Sequence, residues 1–441
     1  MAADDECLRK MHFAVSGARH HYKIRVMDGT RVDTDTKYIK PYTKVSPFKK
    51  KGNATRIVYA DLIGQSVPSS GSVINQLLEH PPAGYRFVTR KKITTTIADS
   101  LHSNAQLRKM KRSMQRFIPT NLLVSCVLTR FMKPPVAVDL TYSMSTVIFR
   151  PEPWVLYLEV PTQLAGYNHH SLQRFRSILE SGLGSPYCRA IICQSEAARC
   201  SLMRRLNTGS FEHKLHVIRC GWFPKPVMKP RFRSDERVRI LFVGASTMAF
   251  GFPIKGGLES LEAFAALRQL YPHVELTMRC DVETKVRRRF EGLPGFRIID
   301  KLIPKHELET LYEQADIYWY PAHCLMSISV LEAMSYGLPV VTTDYYDNSE
   351  YVEDGRTGMI VPQRQHVPGW DTSELEVRRA LEAPAPVFVK ALVEKTRVLI
   401  ENSELRRRMG RAARSDVETK FSLSEKNLKF KNIFDEAIGF W

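Results

Sequence analysis

Short apolar runs that end at small residues alternate along this chain with stretches whose apolar residues recur at helical spacing. The run RIVYADLIG, residues 56 to 64, stops at Gly64 and passes through the small-residue loop GQSVPSSGS into the helical pattern VINQLLEH. Runs such as YRFVTR, AVDLTYS, WVLYLEV and AIICQS continue the series as far as residue 221. Strands that alternate with helices in this way predict a parallel, doubly wound sheet.

The same alternation starts again at residue 237 with RVRILFVGA. The helical patterns ESLEAFAALRQLYP, HELETLYEQA and SISVLEAMSYG then alternate with the strand-like runs VELTMRCD, DIYWYPA and LPVVTTD. Between the two series, residues 222–237 read WFPKPVMKPRFRSDER and are rich in proline and charge, which is typical of a linker. The pattern therefore predicts an α/β protein with two Rossmann-like domains.

These changes divide the 441 residues into five predicted parts. They are a basic N-terminal extension (1–55), a first Rossmann-like domain (56–221), a linker (222–237), a second Rossmann-like domain (238–415) and a C-terminal segment (416–441). The last segment contains the amphipathic pattern SEKNLKFKNIFDEAI, so we expect a helix that packs back on the first domain. Two domains suit this length because single cores rarely exceed about 250–300 residues.

The net charge and the pattern of cysteines indicate which classes of partner and which cellular compartment to expect. The chain has 65 Lys and Arg against 46 Asp and Glu, a formal net charge of +19 that favours phosphates, nucleic acid or anionic lipid. The eight cysteines show no paired metal-ligand spacing, and several lie in apolar runs, as is typical of a reducing cytoplasm. We find no signal-peptide pattern and no apolar run of about 18 residues, so we expect a cytoplasmic protein without a membrane span.

Two segments of the second domain carry candidate chemistry, because ligands of open α/β sheets bind where strands end and helices begin. In ILFVGASTMAFGFPIKGGLESLEAF, a strand ends at Gly244 and a glycine-spaced loop leads to Lys255. This lysine lies either beside a phosphate or solvated on a surface loop. In ADIYWYPAHCLMSISVLEAMSYGLPVVTTD, Glu332 lies inside a helix among apolar neighbours. It binds either the hydroxyls of a ribose or a partner within the domain.

In their order and spacing, these segments resemble the retaining glycosyltransferases of family 4. The resemblance runs from about residue 56 to 420 and is strongest between 238 and 363. It rests on the stretches ILFVGA, IKGGLESLEAF, HELETLYEQADIYWYPA, SVLEAMSYGLPVVTTD, EYVEDGRTGMIVP and NSELRRRMGRAAR. It implies the GT-B architecture, with two Rossmann-like domains facing each other across a cleft. It also implies transfer of a sugar from a nucleotide-sugar donor.

Position by position, the resemblance implies a donor site. Lys255 corresponds to the family's basic residue on the donor diphosphate. Glu332 matches the second Glu of the family's Glu, seven residues, Glu motif, which binds the ribose. These two are the predicted catalytic residues. The other predicted donor-binding positions lie in the phosphate turn, at the helix entry and near the base: Gly244, Ala245, Ser246, Ile303, Cys324, Met326, Ser327 and Ile328.

The sequence also departs from the family pattern. The first Glu of the motif, which ordinarily touches donor-sugar hydroxyls, falls on Cys324, and the usual Gly-Phe-Gly reads Leu325-Met326-Ser327. A second basic residue, usually found after the Gly of the FVG strand, is missing, and Arg279 is a candidate to compensate. The resemblance therefore implies a nucleotide site that follows the family and a sugar site that departs from it.

The family is thought to use no protein nucleophile, since the leaving diphosphate helps to deprotonate the attacking hydroxyl on the same face. Stabilisation of the leaving group would then come from Lys255 and the helix N-terminus near Ser327. No Asp-x-Asp motif stands in a metal-like context, so we expect neither metal nor cofactor.

The first domain is expected to take the acceptor, a glycan or a lipid-linked sugar of surface polysaccharide or glycolipid synthesis. Its cleft candidates are Gly64, Gln65, Glu159 and His169, each of which could instead only cap a loop. The stretch AQLRKMKRSMQRFIP has five basic residues and no acid, and as a helix it would face either an anionic membrane or solvent. These basic residues are Arg108, Lys109, Lys111, Arg112 and Arg116.

Two other functions remain open at this point. The net charge also suits an acceptor that is a modified base in DNA. Cys324 is compatible with a GT-B protein that binds a nucleotide sugar or a partner without transferring the sugar. A Rossmann oxidoreductase is disfavoured, because no G-x-G-x-x-G follows either opening strand.

Overall fold

A computed structural model of the chain describes residues 55–61, 73–89, 120–144, 146–225, 236–244, 251–363 and 383–439. The described residues all belong to one compact unit. Within the described residues, the chain forms two parallel sheets of six strands each, with α-helices between most of the successive strands. Among these residues, no helix is both long enough and apolar enough to cross a membrane.

The first sheet is built from β1 Arg56–Asp61, β2 Tyr85–Thr89, β3 Leu140–Met144, β4 Trp154–Leu158, β5 Cys188–Cys193 and β6 Leu215–Val217. Its helices are α1 Val73–Glu79, α2 Thr120–Phe131, α3 His169–Arg174, α4 Arg176–Gly184 and α5 Glu196–Arg205. The strands pair in the order β2-β1-β3-β4-β5-β6, all parallel. Every residue of β4 is buried. A strand covered on both faces reads as a continuous apolar run, as WVLYL does in the sequence.

The second sheet is built from β7 Val238–Val243, β8 Val274–Arg279, β9 Phe296–Ile299, β10 Ile317–Tyr320, β11 Val340–Thr343 and β12 Gly358–Val361. Its helices are α6 Gly251–Ile254, α7 Gly257–Leu270, α8 Thr284–Phe290, α9 Lys305–Gln314, α10 Ile328–Ser335, α11 Pro386–Glu401 and α12 Ser403–Glu418. The order is β12-β11-β10-β7-β8-β9. The direction of winding therefore reverses between β7 and β10, which pair directly. Ligands of such sheets bind at the carboxyl ends of the two strands at this reversal.

The last helix, α13 Leu423–Gly439, returns to the first sheet. Its Phe430 and Phe434 rings lie 6.3 and 6.4 Å from the ring of Tyr142 on β3. Lys426 donates a hydrogen bond of 2.5 Å to Gln76 of α1. The amphipathic pattern of the sequence thus corresponds to a helix whose apolar face covers the first sheet.

Candidate functional site

The turn after β7 begins at Gly244, which is tightly enclosed. Its N–H donates to the carbonyl of Arg279 at 2.9 Å, and the Arg279 guanidinium donates to the carbonyl of Gly244 at 3.3 Å. A Cβ atom at Gly244 would lie 2.7 Å from the Cβ of Cys280, so no larger residue fits without movement. The next two predicted positions, Ala245 and Ser246, lie outside the described residues. The buried Arg279 thus stabilises the turn, because its carbonyl and its guanidinium both bond to the backbone of Gly244.

Lys255 is held against the end of β10 by the glycine that follows it. Gly256 has a φ of 76°, and a Cβ there would lie 2.1 Å from the carbonyl oxygen of Pro321. This approach places the Lys255 ammonium 3.4 Å from the hydroxyl of Tyr320 and 4.8 Å from its ring centroid. Burial lowers the pKa of Lys255, with Cys324 opposing that shift. Within the described residues, no carboxylate pairs with this ammonium, so the site favours an anionic ligand.

Helix α10 begins beside the same loop. Its N-cap residue, Ser327, makes no side-chain capping bond, and its hydroxyl instead accepts a hydrogen bond of 3.1 Å from Ser329. Ile328 is the first helical residue. The first N–H groups of a helix have no intrahelical acceptor and carry a partial positive charge. Lys255 and this helix entry therefore present two kinds of anion-binding group at the β7–β10 reversal.

Glu332 lies one turn inside α10 and is half-buried. The Tyr312 hydroxyl donates to its Oε2 at 3.1 Å, and the Tyr336 ring stacks on Tyr312 with centroids 5.3 Å apart. Burial raises the pKa of Glu332, and the bond from Tyr312 opposes this shift. Oε1 accepts no hydrogen bond among the residues described, so the carboxylate can still accept a donor from a ligand. Ile303, in the loop after β9, is half-buried beside the exposed Leu302.

Cys324 occupies a buried position beside Lys255 and Tyr320. Its Sγ lies 3.4 Å from the Tyr320 hydroxyl, which donates to the carbonyl of Leu325 at 2.7 Å. Burial raises the pKa of the Cys324 thiol, with the ammonium of Lys255 opposing. Met326, also buried, donates its N–H to Asp347 Oδ1 at 2.7 Å. A neutral thiol thus stands where the family pattern has a carboxylate.

Asp347 and Asn348, which the sequence analysis missed, hold this loop from the side of β11. Asn348 donates from Nδ2 to the carbonyl of Cys324 at 3.2 Å and to Thr343 Oγ1 at 3.2 Å. Burial raises the pKa of Asp347 to about 6, opposed by the N–H of Met326. The available signal was a polar Asp-Asn pair just after a buried strand that ends at the ligand-binding edge of the sheet.

From the first sheet, Glu159 extends the cluster. It follows β4, and its carboxylate accepts a hydrogen bond of 2.8 Å from Gln163. Burial raises the pKa of Glu159 to about 7, with the Gln163 bond opposing and Asp347 adding to the rise. The Tyr346 hydroxyl donates to the carbonyl of Glu159 at 3.2 Å. The predicted cleft residue Glu159 is therefore brought to the loop that carries Asp347.

The same loop connects the two sheets further along. Glu350 accepts hydrogen bonds from the N–H groups of Glu196 and Ala197, at 3.0 and 2.8 Å, which are the first residues of α5. It also pairs with Arg219 at 2.9 Å. Tyr351 accepts a hydrogen bond of 3.1 Å from the N–H of Cys220. Residues 346–351 thus form a seam between the two sheets.

His169 lies away from this seam. Its Nε2 is 3.4 Å from the guanidinium of Arg205, at the end of α5 opposite to the Glu350 contact. A helix of this length measures about 15 Å. A pocket of about 550 Å³ opens nearby, lined by Gln173, Arg176, Arg204 and Arg205. The structure thus brings Glu159 to the seam and leaves His169 apart from it.

Gly64, Gln65 and the basic stretch at 105–119 lie outside the described residues. In the part of the chain that is described, no three His, Cys, Asp or Glu side chains are arranged to hold a metal ion.

Comparison with known sequences points to one family. Residues 237–370 match the family described as glycosyl transferases group 1. The sulfoquinovosyl transferase SQD2 of Arabidopsis thaliana is 26% identical over 229 residues, which make up 48% of this chain and 38% of that protein. The chain spans less than half the length of each curated relative that it matches.

The fold of this chain is similar to those of several solved structures. A glycosyltransferase from Rickettsia africae superposes with a TM-score of 0.55 at 16% identity, over 88% of this chain and 99% of that one. Anabaena HepE in complex with UDP-glucose gives a TM-score of 0.52 at 14% identity, over 85% and 98% of the two chains. The prediction of two doubly wound sheets in a GT-B architecture is confirmed.

Proposed function

We propose, because residues 237–370 belong to the group 1 glycosyl transferases, that this chain transfers a hexose-type sugar from a nucleotide-sugar donor to an acceptor hydroxyl. One observation carries the proposal. The ammonium of Lys255 has no carboxylate partner among the described residues, and it lies at the reversal point of the second sheet beside the loop that enters α10. A cation and a helix N-terminus at that point suit the diphosphate of such a donor.

The nucleoside would lie on the other side of α10 from the sugar. Glu332 keeps Oε1 available while Tyr312 holds Oε2, so the carboxylate is oriented to accept ribose hydroxyls. Ile303, together with the exposed Leu302, offers an apolar surface for the base. Gly244 allows the backbone of the first loop to approach the phosphates.

The proposed mechanism relies on positioning and charge. As the bond between sugar and diphosphate breaks, negative charge grows on the diphosphate, and Lys255 and the N–H groups at Ser327 and Ile328 stabilise it. This arrangement supplies the charge that a divalent cation would otherwise provide, so we propose a metal-independent reaction. Retention of configuration follows if the acceptor attacks from the face that the diphosphate leaves and the diphosphate takes its proton.

We propose that the acceptor is a glycan or a lipid-linked sugar in surface polysaccharide or glycolipid synthesis. We also propose that the protein is cytoplasmic and contacts the membrane through the basic stretch at 105–119. The support for both is the net charge of +19 and the name of the Arabidopsis relative, a sulfoquinovosyl transferase. Transfer to a DNA base has no separate observation in its favour. A binding protein without transfer is the second candidate, because the thiol of Cys324 replaces the family carboxylate.

The decisive experiment measures binding of UDP, GDP and ADP, and of their glucose conjugates, by calorimetry. We expect one nucleotide to bind, and Lys255→Ala to weaken that binding about 10- to 100-fold through loss of a charge-assisted contact. Glu332→Gln should weaken it by a smaller factor. Lys429→Ala, on the exposed face of α13, is the matched control. If every nucleotide binds equally well to Lys255→Ala and to the native protein, the donor site lies elsewhere.

A further inference from the structure

The sugar side of the candidate site lacks the carboxylate that its family pattern places at position 324. Cys324 does not substitute for it, because its Sγ is buried against the Tyr320 hydroxyl and its carbonyl already accepts from Asn348. A thiol is also a weak hydrogen-bonding group compared with a carboxylate. Any strong acceptor for the sugar must therefore come from another part of the chain.

Asp347 is a carboxylate that is hydrogen-bonded directly to this loop. Its Oδ1 accepts the N–H of Met326 at 2.7 Å, and its neighbour Asn348 holds the Cys324 carbonyl at 3.2 Å. These two bonds attach the turn after β11 to both sides of Leu325. The sugar of a nucleotide-sugar donor is covalently attached to the diphosphate. If the diphosphate lies at the entry of α10, the sugar must lie within a few ångströms of the 324–327 loop.

Two oxygens of this turn are buried without a hydrogen-bond donor. Asp347 is 0% exposed and Asn348 is 1% exposed, yet Asp347 Oδ2 and Asn348 Oδ1 have no partner within the described residues. The Ser195 hydroxyl acts on this carboxyl group as a hydrogen-bond donor and lowers its pKa, but among the described residues no donor meets Oδ2 at hydrogen-bonding geometry. A buried acceptor without a donor costs about 1–3 kcal/mol, and a hydroxyl that donates to these two oxygens would remove that cost.

We propose that Asp347 Oδ2 and Asn348 Oδ1 form the subsite that accepts hydrogen bonds from the donor-sugar hydroxyls, in place of a carboxylate at position 324. The inference rests on the proposed function. Both oxygens are pure acceptors, and hydroxyls are the donors that a sugar offers. Glu159 lies near Asp347 on the facing sheet. The carboxylate of Asp347 disfavours a donor sugar that carries its own anionic group, and Glu159 adds to this repulsion when it is ionised. The subsite therefore selects a neutral sugar.

The test separates the sugar contribution from the nucleotide contribution. Calorimetry would give the Kd of UDP and of UDP-glucose for the native protein, for Asp347→Asn and for Asp344→Asn; GDP and GDP-mannose replace them if UDP does not bind. Asp344 is exposed on the same loop and serves as the matched control. We expect Asp347→Asn to weaken UDP-glucose about 10-fold or more, because an amide N–H₂ cannot accept, while UDP changes less than about two-fold. Asp344→Asn should change neither value.

A second measurement uses only the native protein, so it does not depend on the variant folding. UDP-glucuronate should bind at least about 10-fold more weakly than UDP-glucose, since its carboxylate meets Asp347. Equal loss of UDP and UDP-glucose in Asp347→Asn would overturn the subsite, as would tighter binding of UDP-glucuronate. In either case the proposed donor site would stand, because the native protein still binds UDP. If no nucleotide binds the native protein, both proposals fall.

Discussion

The proposed nucleotide side of the candidate site and its proposed sugar side are built in opposite ways. On the nucleotide side, Lys255 has no carboxylate partner and Glu332 keeps one oxygen available, within the residues described. On the sugar side, Cys324 and Asp347 are buried, and the loops that carry them are hydrogen-bonded to each other. The first region holds its charged groups half-buried with bonding capacity left for a ligand, whereas the second holds its groups fully buried in a hydrogen-bonded network.

The difference follows from how each region is assembled. The nucleotide side consists of two βα units of one sheet, so its residues follow one another along the sequence at fixed distances. The sugar side requires the loop after β10, the turn after β11 and, from the other sheet, the residues after β4. When a site is assembled from separate segments, a carboxylate that is absent at one position can be supplied from another segment. A motif confined to one segment shows only that the carboxylate is absent there.

The largest predicted effect concerns the charge on the nucleotide side. Lys255→Ala should lower kcat by about 100- to 1000-fold, the usual cost of removing one group that stabilises charge in the transition state. Lys255→Arg should recover part of the loss. Initial rates of sugar transfer at saturating donor measure the effect, with Lys429→Ala as control. An unchanged kcat with a raised KM would mean that Lys255 binds the donor without stabilising the leaving group.

The next effect tests the close backbone approach behind Lys255. Gly256 and Gly355 both have a φ of 76°, but a Cβ at Gly256 would meet the Pro321 carbonyl oxygen at 2.1 Å, whereas nothing lies within 4 Å at Gly355. Gly355→Ala should cost about 1–2 kcal/mol of unfolding free energy from backbone strain alone. Gly256→Ala should cost about 2 kcal/mol more, because backbone must move. Urea unfolding measures both. Equal losses would show that only φ matters at Gly256.

How much of this could be predicted from sequence differs between the two regions. The apolar run WVLYL predicts a buried parallel strand, and β4 is buried throughout, because a strand covered on both faces needs no alternation. The positions of Lys255 at the end of a loop and of Glu332 inside a helix follow from strand-loop-helix order, but their contacts with Tyr320 and Tyr312 were not predicted. Asp347 was missed because its role depends on a hydrogen bond to Met326, 21 positions away. The seam through Glu350 spans 154 positions, and no local pattern specifies such a contact.

The third prediction concerns pH and the buried carboxyl group of the sugar side. The pKa of Asp347 is about 6 in the native protein, against an ordinary value of about 3.9 when unfolded. Between about pH 4 and 6 the native state binds more protons, so the free energy of unfolding falls as pH rises through this window. The contribution of Asp347 to this loss should reach about 1–3 kcal/mol and be nearly complete by about pH 7. Glu159, whose pKa burial raises to about 7, adds its own fall over the same range. Urea unfolding from about pH 4.5 to 8 measures the slope.

Asp347→Asn should flatten this part of the profile and raise the free energy of unfolding near neutral pH, although it weakens sugar binding. Glu350 raises the pKa of Asp347, whereas the Met326 N–H and Ser195 lower it. Glu159, from the other sheet, also acts on Asp347, because each carboxylate disfavours ionisation of the other. Asp344→Asn, at an exposed position on the same loop, should leave the slope unchanged. An Asp347→Asn protein with the native slope would assign the pH dependence to another group, such as Glu159.

The smallest predicted effect returns to the nucleotide side and separates binding from stability. Leu302 is 70% exposed in the loop after β9, so Leu302→Ala should change the free energy of unfolding by less than about 0.5 kcal/mol. If the base packs on this side chain, the nucleotide should bind about five-fold more weakly, since about 1 kcal/mol of apolar contact is lost. Leu270→Ala, at a 60% exposed position on α7, should alter neither quantity. Unchanged affinity in Leu302→Ala would place the base elsewhere. The proposed nucleotide side would then contact only the phosphates and the ribose.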